Sequence, residues 1–152
     1  MAIYHFSAQV ISRSQGRSVV AAAAYRAGER LEDERYGQTH DYTKKSVSER
    51  AIAAPDNAPS WVKDREQLWN AVEAAEKRKD SQLCREVNVA LPRELSAVQQ
   101  RELLSSFVSD HFVSRGMVAD VAIHRDNPEN PHAHIMLTMR EITPDGFGKK
   151  VR

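Results

Sequence analysis

The sequence predicts an α+β fold, a central antiparallel β-sheet with helices packed on it. Three observations carry this. The stretch REVNVALP, from Arg85 to Pro92, alternates in polarity and stops at a proline, as a half-buried strand does. VADVAIH and HAHIMLTMRE do the same on either side of the turn-rich RDNPENP, which makes them a hairpin. Between the strands lie stretches with apolar residues at helical spacing and with capping residues at their starts.

In chain order, residues 1–10 read as a strand, with Tyr4, Phe6, Ala8 and Val10 on one face and Ile3, His5, Ser7 and Gln9 on the other. After the polar turn SRSQGRS, Ser18 is placed to cap a helix through VVAAAAYRAGERL, its core stripe being Val20, Ala24, Ala27 and Leu31. Residues 33–60 are polar and contain Pro55 and Pro59, so they are expected mostly as loop. Ser60 opens a second helix to about Lys79, with Trp61, Leu68, Trp69, Val72 and Ala75 on one stripe. The strand REVNVALP follows, then a third helix whose capping box pairs Ser96 with Gln99. Leu103, Leu104, Phe107, Val108 and Phe112 give that helix its apolar side, and Gly116 its stop.

Composition narrows the function classes. The 152 residues suit one domain. With 22 Lys+Arg against 21 Asp+Glu the net charge is +1, which excludes a protein that coats nucleic acid by bulk charge. An apolar content of 41% excludes a disordered acidic tail. No apolar run approaches the ~20 residues of a membrane span, and MAIYHFSAQ is not a signal peptide. The single cysteine, Cys84, excludes an internal disulfide framework and a cysteine-rich zinc site. A cytoplasmic protein without membrane insertion is the expectation.

The chemistry concentrates in the histidines. His124, His132 and His134 fall within eleven residues, and strand geometry gives them a common side. His132 and His134 project from one face of their strand, with Cβ atoms roughly 6–7 Å apart, while Ala133, Ile135 and Leu137 take the other. On the preceding strand Val121 and Ile123 are the apolar set, so Ala122 and His124 face the other way. The connection Arg125–Pro131 then sets His124 opposite or beside His132. Three imidazoles with open positions are the pattern of a catalytic metal, and suit Zn, Mn, Fe, Ni or Cu better than Mg. The alternative is three hydrogen-bonding histidines without a metal. Asp126 either orients a ligand imidazole or simply forms the turn before Asn127-Pro128.

Tyr25 sits in AAAAYRAGER, one position off the core stripe, among Ala21, Ala22, Gly28 and Glu29 and flanked by Arg26 and Arg30. It reads either as a phenol open to a ligand or as packing at the edge of the core. Glu86 and Asn88 share the polar face of their strand. Glu86 either reaches a ligand histidine or the phenol, or pairs with Arg85 or Arg93.

Three segments, AIYHFSAQVISRSQGRSVVAAAAYRAGERL, REVNVALP and HRDNPENPHAHIMLTMR, together resemble the MobA/MobL family of plasmid relaxases, and especially the relaxase domain of TraA-type conjugal transfer proteins. These are HUH endonucleases, and His132-Ala133-His134 matches the motif for which they are named. The resemblance implies the HUH relaxase fold, a circularly permuted palm-like sheet. It also implies that residues 1–152 are one nicking domain, a fragment of a longer protein. By the same resemblance, Tyr25 corresponds to the nucleophile, His124, His132 and His134 to the metal triad, and Glu86 to an acidic position near the metal or the tyrosine. Where some relatives carry a second acidic residue this chain has Asn88.

The implied activity is metal-dependent, strand-specific nicking and rejoining of single-stranded DNA at a transfer origin. Its cofactor is one divalent ion, Mn²⁺ or Mg²⁺ in function, with Zn²⁺ or Ni²⁺ able to occupy the site. Its partners are that DNA, other relaxosome proteins and a type IV secretion coupling protein, and the domain is expected to act as a monomer. Tyr25 precedes the histidine motif, the chain order of relaxases and not of HUH replication initiators. Strand contacts are expected from Arg13, Arg17, Arg26 and Arg30, from Lys44 and Lys45, and from Arg125 and Arg140, with solvated surface as the alternative for each. His5 is a further candidate, and Tyr36, Tyr42 and Trp61 are candidates for base stacking. The competing functions are a three-histidine hydrolase that uses water and a binding module with a structural metal.

Overall fold

A computed structural model describes residues 6–151. In chain order its elements are β1 (Phe6–Ser12), α1 (Val19–Ala27), β2 (Arg30–Asp33), β3 (Gln38–Asp41), β4 (Glu49–Ala53), α2 (Arg65–Ala75), β5 (Gln82–Ala90), α3 (Ala97–His111), β6 (Ala119–His124), β7 (His132–Leu137), β8 (Arg140–Thr143) and β9 (Gly146–Lys150), with 3-10 turns at Arg13–Gln15, Ser60–Lys63 and Val113–Arg115. Five strands form one antiparallel sheet in the order β1-β5-β7-β6-β4, as the α+β expectation requires. No helix among the described residues is long and apolar enough to cross a membrane.

The period of two divides the sheet into two cores. Val87, Val89, Ala133, Ile135 and Leu137 pack with Leu104 and Val108 of α3. On the other side Ile11, Cys84 and Met136 pack with Val19, Val20, Ala23 and Ala24 of α1 and with Leu68, Trp69 and Val72 of α2. That second side also holds a buried ion-pair network. Arg65 of α2 donates to both oxygens of Asp120 on β6, at 2.9 and 2.8 Å, and to Glu29 at 2.6 Å. The Trp69 indole donates to Asp120 at 2.8 Å, so two residues of α2 are tied to β6.

Several expectations need correction. The first helix stops at Ala27 instead of continuing to Leu31, because Gly28 adopts the left-handed conformation (φ 65°, ψ 44°) and caps it. Leu31 is still buried, but from β2. Residues 33–60 are mostly turn and loop, as expected, but not wholly so. They complete the β2–β3 hairpin and supply β4, an edge strand of the main sheet. Polar or weakly alternating segments such as Gln38–Asp41 gain their strand hydrogen bonds from the pairing itself and leave little apolar signature.

The second helix begins only at Arg65, capped by the Asp64 side chain, and ends at Ala75 instead of Lys79; Trp61 lies in the preceding 3-10 turn, edge-on to Phe147. The Ser96–Gln99 capping box is present, but Gly116 closes the 3-10 turn after α3, not α3 itself. HAHIMLTMRE is two strands, β7 ending at Leu137 and β8 pairing with β9. In β1, Ile11 is buried on the face of Gln9 while Phe6 on the other face is 54% exposed, as befits an edge strand.

Candidate active site

The centre of the sheet is β7, and the strand register determines what surrounds its histidines. His132 lies directly across from His124 of β6 and from Ala90 of β5, and His134 lies across from Ala122 and Asn88. The three imidazoles therefore share one face, with ring centres 5.3, 5.1 and 5.2 Å apart. Imidazoles around one four-coordinate ion, with metal–nitrogen bonds of ~2.0–2.1 Å, have ring centres about 5 Å apart.

Two backbone carbonyls orient the rings. His124 donates from Nε2 to the Arg26 carbonyl at 3.1 Å, and His132 donates from Nδ1 to the Asn130 carbonyl at 3.0 Å. A carbonyl only accepts, so each ring carries a proton on the nitrogen that faces it. His134 Nδ1 is buried without a hydrogen-bond partner among the described residues. Burial disfavours protonation of His124, and the Lys45 and His132 charges add to it, so its pKa falls below the ordinary 6.5. Burial again leads at His134, followed by the Arg26 charge, and lowers its pKa to about 4. Neutral imidazoles are the metal-binding form. As placed, no group of three or more histidine, cysteine, aspartate or glutamate side chains among the described residues stands ready to hold an ion. Residue type, ring spacing and the orphaned nitrogen fit the chemistry of a divalent metal, while the ring orientations as placed do not close a site.

The helix that carries Tyr25 meets this cluster through its last turn, where the Arg26 carbonyl receives His124. Tyr25 is 42% exposed. Its ring has Tyr42 edge-on at 5.2 Å, the Lys45 ammonium 3.3 Å from its centre and the Arg26 guanidinium at 5.1 Å.

Glu86 is 3% exposed, and its partners are neither Arg85 nor Arg93. Arg26 donates to both of its oxygens at 3.1 Å, and Gln9 donates to Oε1 at 2.9 Å. Burial pushes this carboxyl upward, but the hydrogen bonds and charge of Arg26, with Gln9, outweigh it and hold the pKa below the ordinary 4.5. A carboxylate held so is a poor base and a firm anchor. Arg93 pairs instead with Glu129. Asn88 is half-buried beside His134, and Asp126 is exposed and has no hydrogen bond to a histidine among the described residues, so the two carbonyls do the orienting considered for it.

The expected DNA-contacting cations divide. Arg13 is 7% exposed and clamps Glu73 at 2.7 Å together with the carbonyls of Glu73, Glu76 and Arg78, so it is structural. Arg125 points away from His124 and ties Glu49, Gln100 and Ala97 together. Arg140 is not near the histidine hairpin: it follows Leu137, at the opposite end of β7, and binds Glu76 and Gly148. Arg30 pairs with Glu32 at 3.3 Å at the surface. Arg17 and Lys44 have no hydrogen bond or ion pair among the described residues. His5 lies outside the described residues. Gln9 is the site residue the sequence did not flag; its place on the face opposite Ala8 and Val10 was legible, but not that β1 would pair with β5 and set it beside Glu86.

The chain is 47% identical to the conjugal transfer protein TraA of Agrobacterium fabrum, over 99% of this chain and 14% of that protein. It is 40% identical to the mobilization protein MobL of Acidithiobacillus ferridurans, over 99% of this chain and 46% of that one. The chain thus spans less than half the length of either relative. A solved structure from work on the molecular basis of vancomycin resistance transfer in Staphylococcus aureus superposes with a TM-score of 0.93 at 36% identity, covering 99% of this chain and 78% of that chain. Residues 17–152 match the MobA/MobL family, and the chain belongs to it.

Proposed function

We propose that this domain is the nicking part of a plasmid relaxase, which cuts and rejoins one DNA strand at a transfer origin with Tyr25 as nucleophile. The observation that carries the proposal is the junction of α1 with the histidine cluster: the turn presenting an exposed tyrosine is the turn whose carbonyl receives His124. The relatives' names, conjugal transfer protein and mobilization protein, supply the biological setting.

In this reading the Tyr25 oxygen attacks the scissile phosphorus and the phenol loses its proton. The P–O3′ bond breaks and the departing 3′ oxygen takes up a proton, leaving a 5′-phosphotyrosyl enzyme and a free 3′-hydroxyl. Attack of a 3′-hydroxyl on the phosphotyrosine reverses the step, so the strand is resealed without an external energy source. His124, His132 and His134 would hold one divalent ion, Mn²⁺ or Mg²⁺, which when bound supplies positive charge for the non-bridging phosphate oxygens. Arg26 fixes the nucleophile's helix to β5 through Glu86 and to β6 through His124. Its partners would be the single strand of the transfer origin, relaxosome proteins and a secretion coupling protein.

The test is incubation of a single-stranded oligonucleotide carrying the plasmid's nick site with protein and Mn²⁺. A denaturant-stable protein–DNA adduct that is lost in Tyr25→Phe is the expected result. Cleavage that persists in Tyr25→Phe without an adduct would overturn the proposal in favour of hydrolysis by water.

A further inference from the structure

The turn after β3 brings a cation onto the face of Tyr25, and the fold goes to some length to keep it there. Lys45 donates its backbone N–H to the Tyr42 carbonyl at 2.9 Å, closing the turn, and Tyr42 N–H donates to the Glu29 carbonyl at 3.1 Å. The turn lies so close to the end of α1 that a Cβ on Gly28 would stand 2.9 Å from Val47 Cγ2 and 3.2 Å from the Lys45 carbonyl oxygen. The outcome is an ammonium 3.3 Å from the Tyr25 ring centre, with the Tyr42 ring edge-on at 5.2 Å.

Two cations approach this ring, and their charges are not equally available. Arg26 is already neutralised by Glu86. Lys45 has no carboxylate partner among the described residues, and its ammonium is the nearer of the two to the ring, 3.3 Å against 5.1 Å from its centre. We propose that Lys45 stabilises the negative charge that grows on the Tyr25 oxygen as it attacks, a role distinct from a contact to the DNA backbone. A cation over a neutral phenol is held by the ring quadrupole alone, whereas over a developing phenolate it also faces a full charge. The interaction therefore strengthens along the reaction, which is the condition for accelerating it.

This rests on Tyr25 being the nucleophile, so one readout omits DNA and metal altogether. Tetranitromethane modifies tyrosine through its phenolate, and Tyr36, at 42% the same exposure as Tyr25, serves as a standard within the same molecule. In the whole protein, Lys45→Met lowers the Tyr25-to-Tyr36 nitration ratio about two- to fivefold. Lys45→Arg restores most of it, and Lys44→Met leaves it unchanged. An unchanged ratio in Lys45→Met, with the folded state verified by circular dichroism, overturns the proposal. With the nick-site oligonucleotide, Lys45→Met slows single-turnover adduct formation about tenfold while Kd stays within about twofold. A weakened Kd with an unchanged single-turnover rate would make Lys45 a phosphate contact and overturn it. If wild-type protein forms no adduct yet the nitration ratio falls, the charge contact stands and the nicking reading fails.

Discussion

Arg26 meets the site from two sides at once. Its carbonyl receives His124, and its guanidinium holds both oxygens of a glutamate that is 3% exposed. Removing one partner of a buried ion pair leaves the other charged and without water. Arg26→Ala is therefore expected to destabilise the protein by about 2–4 kcal/mol, below the cost of a fully buried pair because Arg26 itself keeps some access to water. Adding Glu86→Gln should recover part of that loss in urea denaturation, and strictly additive effects would show that the two residues are not coupled. The convergence of His124, His132 and His134 was legible in the sequence because a strand repeats every two residues, so spacing alone assigns faces. The partner of Glu86 was not, because Arg26 lies 60 positions away and the sequence offers nearer arginines. Tyr25 stood out only through its resemblance to a family; its helix position alone is equally that of a packing residue.

At the scale of elements, the β8–β9 hairpin is fastened to the end of α2 by one carboxylate. Glu76 accepts from Arg140 at 2.5 and 3.1 Å and from Lys150 at 3.2 Å. Burial pushes Glu76 upward, but those two cations outweigh it and lower its pKa from the ordinary 4.5. The stabilisation is complete above the unfolded-state value and is lost as pH falls through the lower folded one. Acid titration of stability should show this loss below about pH 4.5 in the wild type, and a smaller slope in Glu76→Gln together with lower stability at pH 7. Neither this hairpin nor β2–β3 was foreseen, since their strands are only four or five residues long and leave little apolar alternation to read. α3, by contrast, was announced by its own Ser96–Gln99 capping box. The early stop of α1 was concealed because AGERL continues the helical pattern beyond Gly28, and only the close approach of the 42–47 turn shows why a glycine stands there.

Across the whole molecule the sheet separates chemistry from support. The histidines, Glu86 and the Tyr25 helix lie on the side of α1 and α2, while α3 packs on the other. Damage to the supporting side should then cost stability without touching the reaction. Leu104→Ala is expected to destabilise by about 2–4 kcal/mol while leaving the adduct rate of the remaining folded protein unchanged. A rate that falls with stability would mean that the two sides are coupled. The charge layout follows the same division. A net charge of +1 conceals that Arg13, Arg125 and Arg140 are committed to carboxylates within the fold, whereas Lys45 keeps its charge at the tyrosine.

The antiparallel register on both sides of β7 also acts as a kind of reading frame. His132 and His134 occupy even places on a strand whose odd places, Ala133, Ile135 and Leu137, build the opposite core. Gaining or losing a single residue within that strand would exchange the two sets and bury the imidazoles among leucines, while a change of two would keep them in phase. The connection from Arg125 to Pro131 lies outside the count. Descendants of this chain are free to lengthen that tip by any number of residues, but can edit the strand beside it only in pairs.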